Sequence, residues 1–219
     1  MSRLAVFDLD GTLIDSRRDL ADSANEMLAG YGAARLPDDA IVSMIGCGVG
    51  TLVRRVISAA GVETSLEDAL PRFVAAYDRR LTVHTRPYDG IPGLLDQLQS
   101  RQVAMAVLTN KPLEQTRKIL DLFDLTSYFG WVVGGDGPWP RKPAPDALIF
   151  LMNQASSGPA ETMLIGDSIV DLQTSRNAGV RICLARYGFG FADLPADQLR
   201  GDEALVDTPA DIAGILHAG

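Results

Sequence analysis

The chain has 219 residues, enough for one good-sized domain or for a domain that carries a smaller insertion. Hydrophobic residues make up 47% and charged residues 22%, the balance of a folded globular protein rather than a disordered one. With 20 Lys plus Arg against 28 Asp plus Glu the net charge is −8, so the basic surface that a nucleic-acid partner wants is not expected, whereas a small anionic ligand needs only a local positive site.

In chain order, Leu4 to Phe7 is a short apolar run that ends in Asp-Leu-Asp-Gly-Thr and reads as a buried parallel strand followed by a turn. Ser16 with Asp19 has the pattern of a helix-starting capping box. From Ser16 to Thr85 there is no strand-like run. Apolar residues recur there at helical spacing, as in Leu52, Val53, Val56, Ile57 and Ala60, and Pro37, Gly61 and Pro71 punctuate the stretch into four or so helices. Residues 16–85 are therefore expected as an all-helical insertion, with 1–15 and 86–219 forming the core. Beyond Arg86-Pro87-Tyr88-Asp89-Gly90 strands and helices alternate: strand Val103–Leu108, a helix opening at Pro112, strand Trp131–Val133, helix Pro145–Gln154, strand Met163–Ile165, helix Ile169–Asn177, Gly179 as terminator, strand Val180–Leu184, then Leu205-Val206 and a last helix Pro209–His217. That alternation predicts an α/β fold, a Rossmann-like doubly wound parallel sheet whose ligands sit beyond the carboxyl ends of the strands.

No apolar stretch approaches the ~20 residues that span a bilayer. The N-terminus starts directly with Leu4-Ala5-Val6-Phe7, without a basic leader or small-residue cleavage site, which makes a cytoplasmic location the expectation, with no membrane partner. Cys47 and Cys183 are far apart and outside any metal-ligand spacing, and are expected as reduced thiols. The oligomeric state is left as monomer or homodimer.

Asp8, Thr109 and Asp167 all fall at strand ends, and together with Lys142 they offer the parts of a phosphoryl-transfer site. Such a site needs a nucleophile, a proton donor for the leaving oxygen, and positive charge around the phosphoryl oxygens. Asp8 is the candidate nucleophile. Asp10, two residues on, is placed to act as acid and base, and Gly11 lets the backbone approach the phosphoryl group. Asp8, Asp10, Asp167 and Asp171 would bring up to four carboxylates into one crevice, which is self-repelling without a cation and suits Mg²⁺. Asp8 and Asp167 are assigned as side-chain ligands and Asp10 through its carbonyl. Asp171, one helical turn after Asp167, faces the same site. Lys142 supplies fixed positive charge, and Thr109 and Asn110 supply short donors beside a helix N-terminus.

These motifs resemble the haloacid dehalogenase superfamily, in the subgroup similar to phosphoglycolate phosphatase. Asp8-x-Asp10-Gly11-Thr12-Leu13-x-Asp15-Ser16, Thr109-Asn110-Lys111-Pro112, Arg141-Lys142-Pro143-x-Pro145 and Gly166-Asp167-Ser168-x-x-Asp171 match its four motifs in order. The resemblance implies a helical cap inserted after the first motif, Mg²⁺ as cofactor, a small phosphorylated metabolite as substrate, and Thr12 beside Gly11 and Asn110 in the substrate-binding set. Arg86 to Gly90 and Tyr187-Gly188-Phe189-Gly190 are similar to stretches of the phosphoglycolate phosphatase subgroup, while the loop Gly135 to Pro140 departs from the family pattern at the approach to Lys142.

Several residues carry competing readings. Lys111 competes with Lys142 for the phosphate role, with a solvent-facing side chain as the alternative. Gly46-Cys47-Gly48-Val49-Gly50 reads as a cap loop over the site rather than a dinucleotide fingerprint, because no strand precedes it. Arg55, next to Arg54, is a candidate for a substrate carboxylate, set against a plain surface arginine. His84 and His217 read as structural or exposed. The leading function is hydrolysis of a small phosphomonoester through an aspartyl-phosphate. The alternatives are a beta-phosphoglucomutase-like phosphotransferase, a sugar-phosphate phosphatase or pyrophosphatase of the same fold, and, more remotely, a phosphorylated switch.

Overall fold

The structure, a computed structural model, describes residues 3–216. Its centre is strand β1 (Leu4–Phe7), buried along its whole length. Leu4 and Val6 face one apolar core, and Ala5 and Phe7 face the other, as the two-residue period of a strand requires. β1 is paired in parallel on one side with β4 (Ala104–Leu108) and on the other with β6 (Thr162–Gly166). β5 (Trp131–Val133) lies outside β4, and β7 (Arg181–Ala185) and β8 (Ala204–Val206) lie outside β6, giving the order β5-β4-β1-β6-β7-β8. The chain thus builds outward on one side and then crosses over β1 to the other. The switch point of the sheet, where doubly wound folds hold ligands, is the carboxyl end of β1 between β4 and β6.

Helices cover both faces. α5 (Ile91–Ser100), α6 (Leu113–Leu122) and α9 (Pro209–Ile215) contribute Leu95, Ile119 and Ile212 to the core that holds Phe7. α7 (Asp146–Ala155) and α8 (Ile169–Ala178) contribute Leu148, Leu151 and Leu172 to the core that holds Val6. No helix among the described residues is long and apolar enough to cross a membrane. The last helix ends at Ile215, and His217 lies outside the described residues.

Between β1 and α5 come four helices, α1 (Arg17–Ala29), α2 (Asp38–Val42), α3 (Val49–Ala59) and α4 (Leu66–Arg80). In α3 the buried residues Leu52, Val53, Val56 and Ile57 are those that helical spacing singles out. Pro71 does not break the stretch as expected. It lies inside α4, where its ring costs the helix a backbone bond, and burial of Ala69, Phe73, Ala76 and Tyr77 holds the helix together across it.

The chain enters and leaves the helical segment through a two-stranded antiparallel ladder, β2 (Ile14–Asp15) with β3 (Arg86–Pro87). These strands are too short to leave a periodic signal. The expected capping box at Ser16 is absent: the Ser16 side chain makes no cap bond and instead donates to Asp10. Asp19 is fully buried and accepts from the His84 amide, the Thr85 amide and the Thr85 hydroxyl, the last two at 2.7 and 2.8 Å. One carboxylate therefore fastens α1 to the returning chain. Asp19→Ala strands those donors, and is expected to lower the unfolding free energy by about 3 kcal/mol in urea titration, with Asp19→Asn recovering part of the loss.

Candidate active site

The first loop is shaped by one carbonyl. The Leu9 oxygen accepts from the amides of Thr12, Leu13 and Ile14 at 3.3, 3.0 and 3.1 Å, folding residues 9–14 into a tight turn over the end of β1. Gly11 sits in it at φ +88°, and a Cβ there would fall 2.0 Å from an Asp167 oxygen. Only glycine fits, both by backbone conformation and by space. Because Phe7 pairs with Ile165 in parallel register, the residues just beyond, Asp8 and Asp167, emerge side by side. Asp8, Asp167 and Asp171, all buried, offer oxygens within 4.8 Å of one another.

Lys142, itself buried, bridges this cluster. Its Nζ lies 3.0 Å from Asp8 and 2.6 Å from Asp171. Asp171 is also the third residue of α8, locked in a capping box with Ser168, whose hydroxyl donates to it at 2.6 Å. Asp167 accepts from the Gly190 amide at 2.7 Å, so the loop after β7 closes over it. Within that loop Gly188 packs so closely that a Cβ would stand 2.2 Å from the Gly11 carbonyl. Sequence reasoning gave this loop no place in the site; the two glycines spaced two apart after a strand were the available signal.

Electrostatics follow from the burial. Burial pushes Asp8 up, Lys142 pulls it down in part, and Asp171 and Asp10 push it up again, leaving it at about 6. Burial raises Asp167 well above the ordinary carboxylate range, and Asp171 and Asp8 add to the effect. Burial works against the Lys142 charge, but Asp171 and Asp8 outweigh it and hold the ammonium above its ordinary value. Both directions have one origin: a single ammonium shared among the carboxylates stays charged itself yet cannot neutralise them all. Three carboxylates share this one ammonium, a buried oxygen donor set that fits a divalent cation.

Asp10 departs from the expected four-carboxylate crevice. Its side chain turns away from the cluster to the ammonium of Lys111, at 2.9 and 3.1 Å, and to the Ser16 hydroxyl at 2.6 Å. Lys111 is buried rather than solvent-facing, and it also donates to the Tyr77 hydroxyl of α4 at 2.6 Å. Burial opposes its charge, but Asp10 and Tyr77 raise its pKa above that of a free lysine. Tyr77 is itself pushed up to about 12 by burial, so it stays a phenol. Thr109 and Asn110 are buried at the end of β4. The Asn110 amide group donates to the Gly46 and Lys142 carbonyls, both at 3.0 Å, which ties the cap loop to the core.

Asp8, Asp10, Thr109, Asn110 and Lys111 line one cavity of about 60 Å³ with Tyr77 of α4. Two expected binding residues lie elsewhere. Thr12 is fully buried, and its hydroxyl is directed at Asp167 at 3.4 Å. Arg55 is exposed on α3, donates to the Met44 carbonyl at 3.1 Å and lines a separate groove, because the buried stripe of α3 faces the other way.

Raised carboxylates favour the protonated form, so their contribution to stability is present below about pH 4 and is lost as pH rises through about 6. For Asp8 that difference amounts to about 3 kcal/mol. A divalent cation is therefore expected to raise the melting temperature of chelator-treated protein strongly at pH 8 and weakly at pH 5, as read by scanning calorimetry. Arg55→Ala is expected to leave KM for any substrate of this cavity unchanged within about twofold in steady-state assays.

A model of the haloacid dehalogenase-like hydrolases matches residues 5–185. Phosphoglycolate phosphatase 1 of Pseudomonas aeruginosa is 37% identical over 194 residues, covering 86% of this chain and 71% of that protein. A plasmid-encoded phosphoglycolate phosphatase of Cupriavidus necator is 34% identical over 213 residues, covering 96% and 91%. A crystal structure described as a predicted phosphoglycolate phosphatase from Haemophilus somnus superposes with a TM-score of 0.91 at 28% identity, covering 98% of this chain and 97% of that one. With a family model spanning most of the chain and relatives above 30% identical over most of its length, the chain belongs to the haloacid dehalogenase-like hydrolase family.

Proposed function

We propose that this protein is a Mg²⁺-dependent phosphatase of a small phosphomonoester of the 2-phosphoglycolate kind, working through an aspartyl-phosphate on Asp8. The observation that carries the reading is the division of labour between two carboxylates of one cavity. Asp8 is held by Lys142 within the acidic cluster, and Asp10 is held apart from it by Lys111 and Ser16. The names of the related proteins from P. aeruginosa and C. necator support the choice of substrate class.

Asp8, Asp167 and Asp171 by their carboxylates, with the Asp10 carbonyl, would hold Mg²⁺, which would supply positive charge for the phosphoryl oxygens and favour the ionised form of Asp8. A carboxylate oxygen of Asp8 attacks phosphorus, the bond from phosphorus to the ester oxygen breaks, and Asp10 gives its proton to that leaving oxygen. Asp10, now the base, takes a proton from water as the water oxygen attacks phosphorus, and Asp8 departs as a carboxylate with release of inorganic phosphate. Lys142 neutralises Asp8 as it alternates between ester and carboxylate, and Thr109 and Asn110 orient the phosphoryl group. Residues 16–85 act as the cap and residues 1–15 with 86–219 as the core. The cap bends at Asp15–Arg18 and Thr85–Gly90 and excludes bulk water when closed.

Phosphate release from a panel of phosphomonoesters, run with Mg²⁺ and with a chelator, tests the proposal. Strict Mg²⁺ dependence with 2-phosphoglycolate among the best substrates is the expected result. Asp8→Asn should cost at least about a thousandfold in kcat with the fold intact, and Asp10→Asn about 10²–10⁴-fold. Transfer between positions of a hexose phosphate without net phosphate release would replace the reading with a mutase.

A further inference from the structure

Resting on the phosphatase reading above, we propose that Lys111 and Tyr77 read the far end of the leaving group and select a phosphoester that carries a carboxylate there. The cap side of the cavity is apolar: Leu20, Ile45, Val49, Leu52, Phe73 and Val74 form its wall. Among the described residues that line the cavity, Lys111 is the one cation. Arg54 and Arg55, the cap arginines of α3, line a different groove. A carboxylate entering a buried apolar chamber is strongly disfavoured unless a charged donor meets it, and Lys111 is where it can be met.

The geometry leaves room for that contact. Lys142 lies between two carboxylates, Asp8 and Asp171, whereas Lys111 faces only Asp10. The ammonium of Lys111 also rests 4.6 Å from the centre of the Tyr77 ring, with the Tyr77 hydroxyl accepting at 2.6 Å. In that bond the phenol oxygen is the acceptor, so its own proton remains for a ligand. A substrate carboxylate placed here receives the Lys111 ammonium and the Tyr77 hydroxyl together, and gives Lys111 the second carboxylate that Lys142 already has. Gln115, from α6, also lies on this wall and spends an amide proton on Asp78 at 3.1 Å. A cavity of about 60 Å³ suits a small leaving group.

The test compares 2-phosphoglycolate with ethyl phosphate, which keeps the two carbons and lacks the carboxylate, in the full-length Mg²⁺-loaded protein. Wild type is expected to favour 2-phosphoglycolate in kcat/KM. Lys111→Met should reduce that preference by about tenfold to a hundredfold, the worth of a charge-assisted hydrogen bond, beyond whatever it does to ethyl phosphate by releasing Asp10. Tyr77→Phe keeps the ring beneath Lys111 and removes the hydroxyl, so it should lower kcat/KM for 2-phosphoglycolate severalfold more than for ethyl phosphate. This variant carries the test should Lys111→Met fail to fold. An equal loss on both esters in both variants means that Lys111 only positions Asp10, and overturns the inference while leaving the phosphatase reading intact. Cleavage of neither ester by wild type, with other phosphoesters cleaved, removes the carboxylate substrate class. Cleavage of no phosphoester at all removes the phosphatase reading and this inference with it.

Discussion

The ammonium of Lys142 is the interaction that the site cannot do without. Parallel pairing of β1 with β6 forces Asp8 and Asp167 to leave the sheet as neighbours, and α8 begins where Asp171 completes an acidic cluster. Buried carboxylates repel one another in a medium that screens poorly, and a single lysine within 3.0 Å of two of them is the fixed countercharge the fold provides. That lysine does not discharge the cluster completely. The residual charge is a stability cost to the empty site and a binding energy for a divalent cation, so affinity for the cation and strain in its absence are one quantity. The close-packed glycines follow from the same crowding: Gly11 and Gly188 approach Asp167 to distances that a side chain would forbid.

Two lysines from two loops keep two nearby aspartates different. Asp8 and Asp10 are separated by a single residue, yet Lys142 belongs to one and Lys111 to the other. The first pair sits inside the acidic cluster. The second sits against Ser16 at the start of α1 and Tyr77 within α4. Nucleophile and acid/base, in the reading proposed above, are thereby given separate electrostatic surroundings, and only the acid/base is in touch with the helical segment. In that reading the ammonium of Lys111 serves both the acid/base, Asp10, and the helical segment, through Tyr77.

The core was legible because three of the four motifs end short apolar runs, and a four- or five-residue apolar stretch followed by a turn is too short for a helix and reads as a buried parallel strand. Strand limits moved by a residue or so, and the buried stripe of α3 fell where helical spacing put it. What escaped was decided by partners distant in sequence. Lys111 looks like any surface lysine until Asp10, a hundred and one residues away, and Tyr77 are brought to it. Ser16 and Asp19 have the spacing of a capping box, but a buried acceptor at 19 serves the returning strand better, and Asp10 outbids the helix amides for the hydroxyl of Ser16. Arg55 was assigned by proximity to a glycine loop, and only the rotation of α3 shows that it points elsewhere. Pro71 reads as a break in sequence because its penalty is local, whereas the tertiary burial of α4 that outweighs it is not written locally.

The way the helical segment is attached bears on how it can move. Both chain crossings are gathered at one place, by the two paired residues of the β2–β3 ladder and by the Asp19 carboxylate that accepts from His84 and Thr85. The same junction pairs Arg17 with Asp15, and there the Arg86 guanidinium donates to the Thr82, Val83 and Thr85 carbonyls. Across the mouth of the cavity the polar links among the described residues include Asn110 to the Gly46 carbonyl, Gln115 to Asp78, and Lys111 to Tyr77. Each is worth about 1 kcal/mol once water can replace it, except where the charge of Lys111 is involved. Beside these links, residues of the helical segment such as Leu20 and Phe73 share one buried apolar cluster with Phe7 and Val107 of the sheet. The link with most to lose on opening is the one that touches the acid/base, and this couples closure of the proposed cap to the arrangement in which Asp10 can work.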